Sequence, residues 1–154
     1  MDELKTLQTK IRRKSMDELK TFIVQVDPID LDKIAESGQV FRWVPMRPHE
    51  YGIASGGAFC VARQVGENAI EIDTTEQDMR NVWHWYFDLE TDYTKVLDAI
   101  DSDDAFLLHC AETANGVRIL RQDIWETMVS FVISQNNNIP RIKKTIETLC
   151  GAFG

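Results

Sequence analysis

Residues 39–74 read QVFRWVPMRPHEYGIASGGAFCVARQVGENAIEIDT, and four short runs within them decide the fold class. QVFRWVPM, YGIAS, AFCVARQV and AIEIDT read as strands, separated by RPHE, SGG and GEN, each of which carries turn-forming residues. Strands this close, joined by connections this short, predict an antiparallel meander. Upstream, TFIVQV from Thr21 alternates as a strand and is stopped by Asp27-Pro28. Asp30 is placed to cap a short helix, DLDKIAES, with Gly38 in the position glycine favours just past a helix end.

Downstream of Thr74 the period changes to about 3.6 residues. EQDMRNVWHWYF, DYTKVLDAI and SDDAFLLHCAET read as helices, with Ser102 as the expected N-cap of the third. After the break ANGVR, the helix DIWETMVSFVIS has almost no polar face and belongs inside a helical core. It leads through QNNN into IPRIKKTIETLCGAF, where Ile142, Ile146, Leu149 and Phe153 form one stripe. The expected architecture is α+β, with an N-terminal domain over residues 21–115. Residues 116–154 are expected to be the first helical hairpin of an all-α domain cut off at Gly154.

The chain has 154 residues, 44% of them hydrophobic and 27% charged, as in an ordinary globular protein of one domain or slightly more. No apolar run reaches the roughly 18 residues of a membrane span. The polar start predicts no secretory signal. Cys60, Cys110 and Cys150 are odd in number, far apart and never in a CxxC pair, which argues against a disulfide framework or zinc ribbon and suits a reducing cytoplasm. MDELKT occurs at Met1–Thr6 and again at Met16–Thr21. Residues 1–20 are accordingly expected to be a poorly ordered extension or alternative start, with a functional basic arm at Lys10–Lys14 as the other reading.

The net charge of −8 is unevenly spread. Residues 1–20 carry six basic and four acidic groups, residues 21–115 six and eighteen, and residues 116–154 five and three. A generalist nucleic-acid binder would be broadly basic, so any nucleic-acid contact must lie at a locally cationic end.

Most chemical motifs are missing. His49, His84 and His109 lack metal-site spacing, and no metal is expected. There is no Gly-rich phosphate loop and no GxSxG elbow. The cluster Asp98, Asp101, Asp103 and Asp104 reads as a solvated, helix-capping connection rather than a calcium loop. Trp83, Trp85, Tyr86 and Phe87 read as core with Val82, although stacking on bases is the other use of such residues. The positive signal is the hairpin at residues 135–141. Three asparagines make a helix–helix turn, but Arg141, Lys143 and Lys144 then follow at a helix start, where cations oppose the macrodipole. A helix start with free N–H groups, arginine and lysine suits DNA phosphate.

The stretch GVRILRQDIWETMVSFVISQNNNIPRIKKTIETLCGAFG, together with SGQVFRW at residues 37–43 and WYFDLETDY at residues 85–93, resembles the 8-oxoguanine DNA glycosylase family of the helix-hairpin-helix superfamily. The resemblance runs from Thr21 to the end. It implies that the first domain is TATA-binding-protein-like and the second is helical. It also implies base-excision repair, in which oxidised guanine is flipped out of duplex DNA and removed with associated AP lyase activity. The family's lysine nucleophile and helping aspartate lie in a later segment containing an LPGVG-like loop, which these residues do not include. No residue here is therefore expected to be catalytic, and no cofactor is expected.

What the resemblance carries over is recognition. Gly38 matches the glycine whose carbonyl accepts the N7 hydrogen of 8-oxoguanine, while its reading as a helix-end glycine holds at the same time. Asn136 matches the residue that enters the gap left by the flipped nucleotide, and Arg141 the reader of the orphaned cytosine. Asn138 and Lys143 complete the expected DNA-contacting set. Phe41, Arg42 and Trp43 are assigned to packing and orientation, and Arg121 with Asp123 to structural pairing. Two readings stand beside this one: a non-catalytic damaged-DNA-binding or protein-interaction module, and a 3-methyladenine-type glycosylase fragment. Unpaired helices are also expected to make the isolated chain self-associate.

Overall fold

The computed structural model describes residues 19–153. The expectations for residues 1–18 lie outside the described residues. Among the described residues, five strands form one antiparallel sheet, in which the strands lie in the order first, fifth, fourth, third, second along the chain. β2 (Trp43–Arg47), β3 (Glu50–Ser55), β4 (Ala58–Gly66) and β5 (Ala69–Thr75) are the expected meander, and β1 (Leu19–Gln25) closes it by pairing with β5 from Leu19↔Thr75 to Gln25↔Ala69. The first run is shorter than expected: residues 39–42 form a loop rather than strand, and pairing begins at Trp43↔Ile53.

One face of the sheet is dry. Ile53, Cys60, Ala62, Ile70 and Ile72 are fully buried there, against Leu31 and Ile34 of α1 (Leu31–Glu36). Alternation along β4 and β5 places the other side chains on the opposite face, where Arg63 binds Glu50, Glu71 and Asp73. These three carboxylates hold the Arg63 guanidinium above its usual range, outweighing the effect of burial.

The segment expected as one helix after β5 is α2 (Glu76–Asp78), a π-helical stretch Met79–Trp83 and α3 (His84–Tyr86). The wider π turn places Trp83, Tyr86 and Phe87 together in the core. Trp83 donates to Thr74 Oγ1 at 2.9 Å, and Trp43 donates to the Tyr86 hydroxyl at 2.9 Å. Each burial of such a ring contributes about 1.5–3 kcal/mol, and the donors remain bonded. Trp85 departs from the expected core set: it is 58% exposed and stacks on Arg121, whose guanidinium carbon lies 3.8 Å from the ring.

α4 (Tyr93–Asp98) and α5 (Ala105–Ala114) follow. α5 is capped by Asp104, whose carboxylate accepts from Leu107 N–H at 2.9 Å, and not by Ser102. The turn closed by Asp104 N–H on Asp101 O takes up Ser102 and Asp103 before the helix can start. Past the turn at residues 115–116, residues 117–123 run extended into α6 (Ile124–Ser134), which packs beside α7 (Ile139–Phe153).

Arg118 fixes this extended segment. It is fully buried, and its guanidinium donates to Pro28 O at 3.1 Å, Phe87 O at 3.3 Å, Asp88 O at 2.6 Å and Thr91 O at 2.7 Å. Gly116, at φ +93°, accepts from Asp30 N–H at 2.8 Å, and a Cβ there would come within 2.6 Å of the Asp30 Cβ. Arg118→Met should therefore lower unfolding free energy by about 3 kcal/mol or more, because buried carbonyls lose their donors. Gly116→Ala should cost about 2 kcal/mol from clash and backbone strain together. Urea unfolding measures both, and a loss below about 1 kcal/mol for either would contradict the assignment.

Candidate nucleic-acid interface

The expected lesion-reading glycine sits at the end of α1. Ser37 N–H and Oγ both return to Ile34 O, which closes the helix, and Gly38 follows at φ +81°. That left-handed conformation favours glycine. An added Cβ would meet nothing within 4 Å, so conformation rather than space calls for glycine here. Gln39 then bonds the extended segment: its Oε1 accepts from Leu120 N–H at 2.9 Å and its Nε2 donates to Arg118 O at 2.9 Å. Two residues on, Phe41 is half-buried, and Arg42 reaches Glu126 in the first turn of α6 at 2.7 Å. Burial raises the Glu126 carboxyl above its ordinary range, opposed by Arg42. The orienting role assigned to Arg42 and Trp43 thus has a physical form, an ion pair to α6 and an indole bond to Tyr86.

The second group lies in the α6–α7 connection, where the three asparagines do different work. Asn137 donates to Ile133 O at 3.0 Å and accepts from Asn138 N–H at 3.0 Å, which fastens the end of α6. Asn138 caps α7, its Oδ1 accepting from Arg141 N–H at 3.1 Å while its carbonyl takes Ile142 N–H. Asn136 is left-handed at φ 50° and exposed, and among the described residues its side chain makes no hydrogen bond. Arg141 and Lys143 are exposed and form no ion pair among the described residues.

The start of α7 differs from the expected anion site in one respect. Pro140 has no N–H and that of Arg141 is taken by Asn138, so the positive charge comes from side chains more than from free backbone donors. No acidic residue occupies the first turn to offset it.

Four of the five expected contact residues therefore share one hairpin, and Gly38 does not. The Gly38 loop is tied to the beginning of α6 through Arg42, whereas the hairpin lies at its far end, roughly 16 Å along the helix axis by its eleven residues. α6 separates the two groups as a rigid spacer. The sequence assigns its apolar residues to a helical core and expects them to be unpaired within these residues, and Ile124, Trp125, Met128, Phe131 and Val132 are 57–77% exposed. The α7 stripe divides, with Ile142 and Ile146 buried and Phe153 exposed.

The expected Arg121–Asp123 pair is absent. Arg121 binds Asp88 at 2.6 Å, and Asp123 caps α6 by accepting from Glu126 N–H at 3.0 Å. Sequence reading missed the supporting residues Asp88, Arg118 and Gln39. Asp88 is buried and left-handed, and its carboxylate also accepts from Thr91 and Tyr93. Its signal was available in the polar run D-x-x-T-x-Y directly after an aromatic cluster.

Residues 21–128 match the family described as 8-oxoguanine DNA glycosylase, N-terminal domain. The N-glycosylase/DNA lyase of Saccharomyces cerevisiae is 34% identical over 139 residues, which are 80% of this chain and 36% of that protein. A structure of MBOgg1 in complex with a low-affinity DNA ligand superposes with a TM-score of 0.81 at 39% identity, covering 87% of this chain and 46% of that one. The Clostridium acetobutylicum 8-oxoguanine glycosylase/lyase, in complex with double-stranded DNA containing cytosine opposite 8-oxoG, gives 0.73 at 34% identity over 82% and 45%. The chain belongs to the 8-oxoguanine DNA glycosylase family, through that family's N-terminal domain. It spans about a third of the yeast relative's length and less than half of either solved chain.

The unequal work of the asparagines is testable. Asn138→Ala should destabilise the protein by about 1 kcal/mol through loss of a helix cap. Asn136→Gly should change stability by no more than a few tenths, because glycine accepts the left-handed backbone. Equal losses in urea unfolding would show that Asn136 has a structural partner as well.

Proposed function

We propose that this chain is the lesion-recognition part of an 8-oxoguanine DNA glycosylase/AP lyase acting in base-excision repair on duplex DNA that contains oxidised guanine. Gly38 offers its carbonyl to the N7 hydrogen that 8-oxoguanine has and guanine lacks. Asn136 enters the space vacated by the flipped nucleotide, Arg141 reads the orphaned cytosine, and Lys143 meets phosphate. Asn138 holds the hairpin in the shape these contacts need, and its amide group lies beside them. The nucleophilic lysine and its aspartate belong to a longer protein, since no LPGVG-like segment occurs within these residues. Residues 21–115 are the α+β domain in this reading, and residues 116–154 open the helical one.

One observation carries the proposal: Asn137 and Asn138 fasten both helix ends, which leaves Asn136 and Arg141 exposed and uncommitted at the tip. A plain helix–helix turn accounts for an asparagine in the left-handed backbone at residue 136, but it would not need an unpaired arginine at residue 141. The alternative of a non-catalytic binder becomes an outcome of the test.

On an 8-oxoguanine·C duplex, borohydride should trap the complete gene product covalently and leave these 154 residues unmodified. An adduct on the 154-residue chain would place the nucleophile within it, and a complete protein that binds but never releases base would favour the non-catalytic reading. In the complete protein, Arg141→Ala should reduce opposite-base discrimination by about 1–3 kcal/mol, measured as excision opposite each of the four bases. Lys143→Ala should weaken binding uniformly and lower the salt slope by about one. Uniform slowing by Arg141→Ala would make it a phosphate contact instead. The exposed face of α6 should also drive self-association of the isolated chain. Sedimentation should show dimers or larger species, and a strict monomer at high concentration would count against that use of the face.

A further inference from the structure

We infer that Gln39 is a positioning residue that sets where the Gly38 carbonyl stands, by fastening the Gly38 loop to the extended segment at Arg118–Gln122. The inference rests on the recognition role proposed above for Gly38. Gly38 does not hold itself in place: it is exposed and left-handed, and an added Cβ would find no neighbour within 4 Å. Its carbonyl accepts no hydrogen bond among the described residues and is free for a ligand. The flanking residues must therefore position it.

On the α1 side, Ser37 is closed onto Ile34. On the other side, Gln39 uses every polar group of its side chain. Oε1 accepts from Leu120 N–H at 2.9 Å, while Nε2 donates to Arg118 O at 2.9 Å and to Ser37 Oγ at 3.0 Å. The Gln39 carbonyl accepts from Gln122 Nε2 at 2.7 Å. One side chain thus joins the near side of the glycine, through Ser37, to an anchor whose Arg118 and Leu120 are buried. The C=O of residue 118 and the N–H of residue 120 lie on one side of an extended backbone, where a neighbouring strand would bond them. Gln39 fills that place with its amide.

Such an anchor matters because the discriminating contact is one hydrogen bond, which weakens steeply with angle and distance. A loop free to drift would lose the choice between 8-oxoguanine and guanine while keeping its other DNA contacts.

The test uses the complete protein with Gln39→Leu, Gln39→Glu and Gln122→Leu, in two reactions. Release of 8-oxoguanine requires the base to be read, whereas cleavage at an abasic site opposite cytosine does not. For Gln39→Leu, kcat/KM for 8-oxoguanine release should fall on the order of 10-fold or more, as geometric misplacement does. Abasic cleavage should stay within about twofold of wild type, and Gln122→Leu should show the same selective loss to a smaller degree. Gln39→Glu should approach wild type as pH falls, each rate taken as a ratio to wild type at the same pH, because a protonated carboxyl can donate to Arg118 O as the amide does. Should Gln39→Leu fail to fold, the other two variants carry the same comparison. Equal losses in both reactions, or unchanged 8-oxoguanine release by folded variants, would overturn the inference and leave the proposed function standing. A wild-type protein that cleaves abasic DNA but never releases 8-oxoguanine would overturn both.

Discussion

A guanidinium in the interior, held by carbonyl oxygens, is the constraint on which the rest of this structure depends. Arg118 is fully buried, and its bonded acceptors are backbone carbonyls at Pro28, Phe87, Asp88 and Thr91. Burial lowers its pKa, with Tyr93 and Asp88 opposing the shift. Arginine nevertheless stays charged, since its reference value lies so far above neutrality. A buried charge is tolerable only when its donors are satisfied, so these segments must all be present and in place at once. They come from the entry to α1, the end of α3 and the loop before α4. The Tyr93 ring covers the guanidinium at 4.2 Å, and its hydroxyl takes Ile119 N–H while donating to Asp88. One side chain therefore ties the extended segment to the body of the sheet and its helices.

Around that anchor the fold uses the same device twice. Gln39 spans the carbonyl of residue 118 and the N–H of residue 120, and Gln64 spans Ile29 O and Leu31 N–H at 2.9 and 3.0 Å. Gln64 lies where the β4–β5 register shifts, and its amide also donates to Gly66 O at 2.6 Å within that irregularity. Both amides satisfy backbone groups that the sheet does not reach. The two glutamines thus hold the two ends of the α1 segment, one at its entry and one just past its exit. Gly38 sits at that exit, and its placement is a property of the domain rather than of the loop alone.

The elements were largely legible because they depend on local signals: alternation in the meander, Asp30 before α1, and Gly38 after it. What was illegible depends on partners far apart in sequence. Residues 39–42 look like strand because VF and W are β formers, yet Gln39 bonds across about 80 positions, and that pairing removes the segment from the sheet. Arg121 lies two residues from Asp123, but Asp88 is the carboxylate that folding brings to it. Trp85 has the aromatic character of a core residue and the wrong helical phase for one, since the π turn directs Trp83, Tyr86 and Phe87 inward. Of the candidate interface, the hairpin was readable because it is local, whereas the support of Gly38 was not.

The hairpin also shows why a locally unfavourable sequence can be informative. Arg141 in the first turn of α7 acts against the helix dipole at about 0.3–1 kcal/mol, Lys143 and Lys144 follow in the next turn, and no carboxylate in the first turn relieves it. A sequence selected for stability alone would place Asp or Glu there. The structure offsets the cost locally through the Asn138 cap, the Pro140 backbone suited to a first turn, and the Asn137 bond that closes α6. Those three residues hold a cationic turn in one shape before any ligand arrives. An anion placed beside that turn would relieve the repulsion without any rearrangement of the backbone, because the caps already hold the turn in shape.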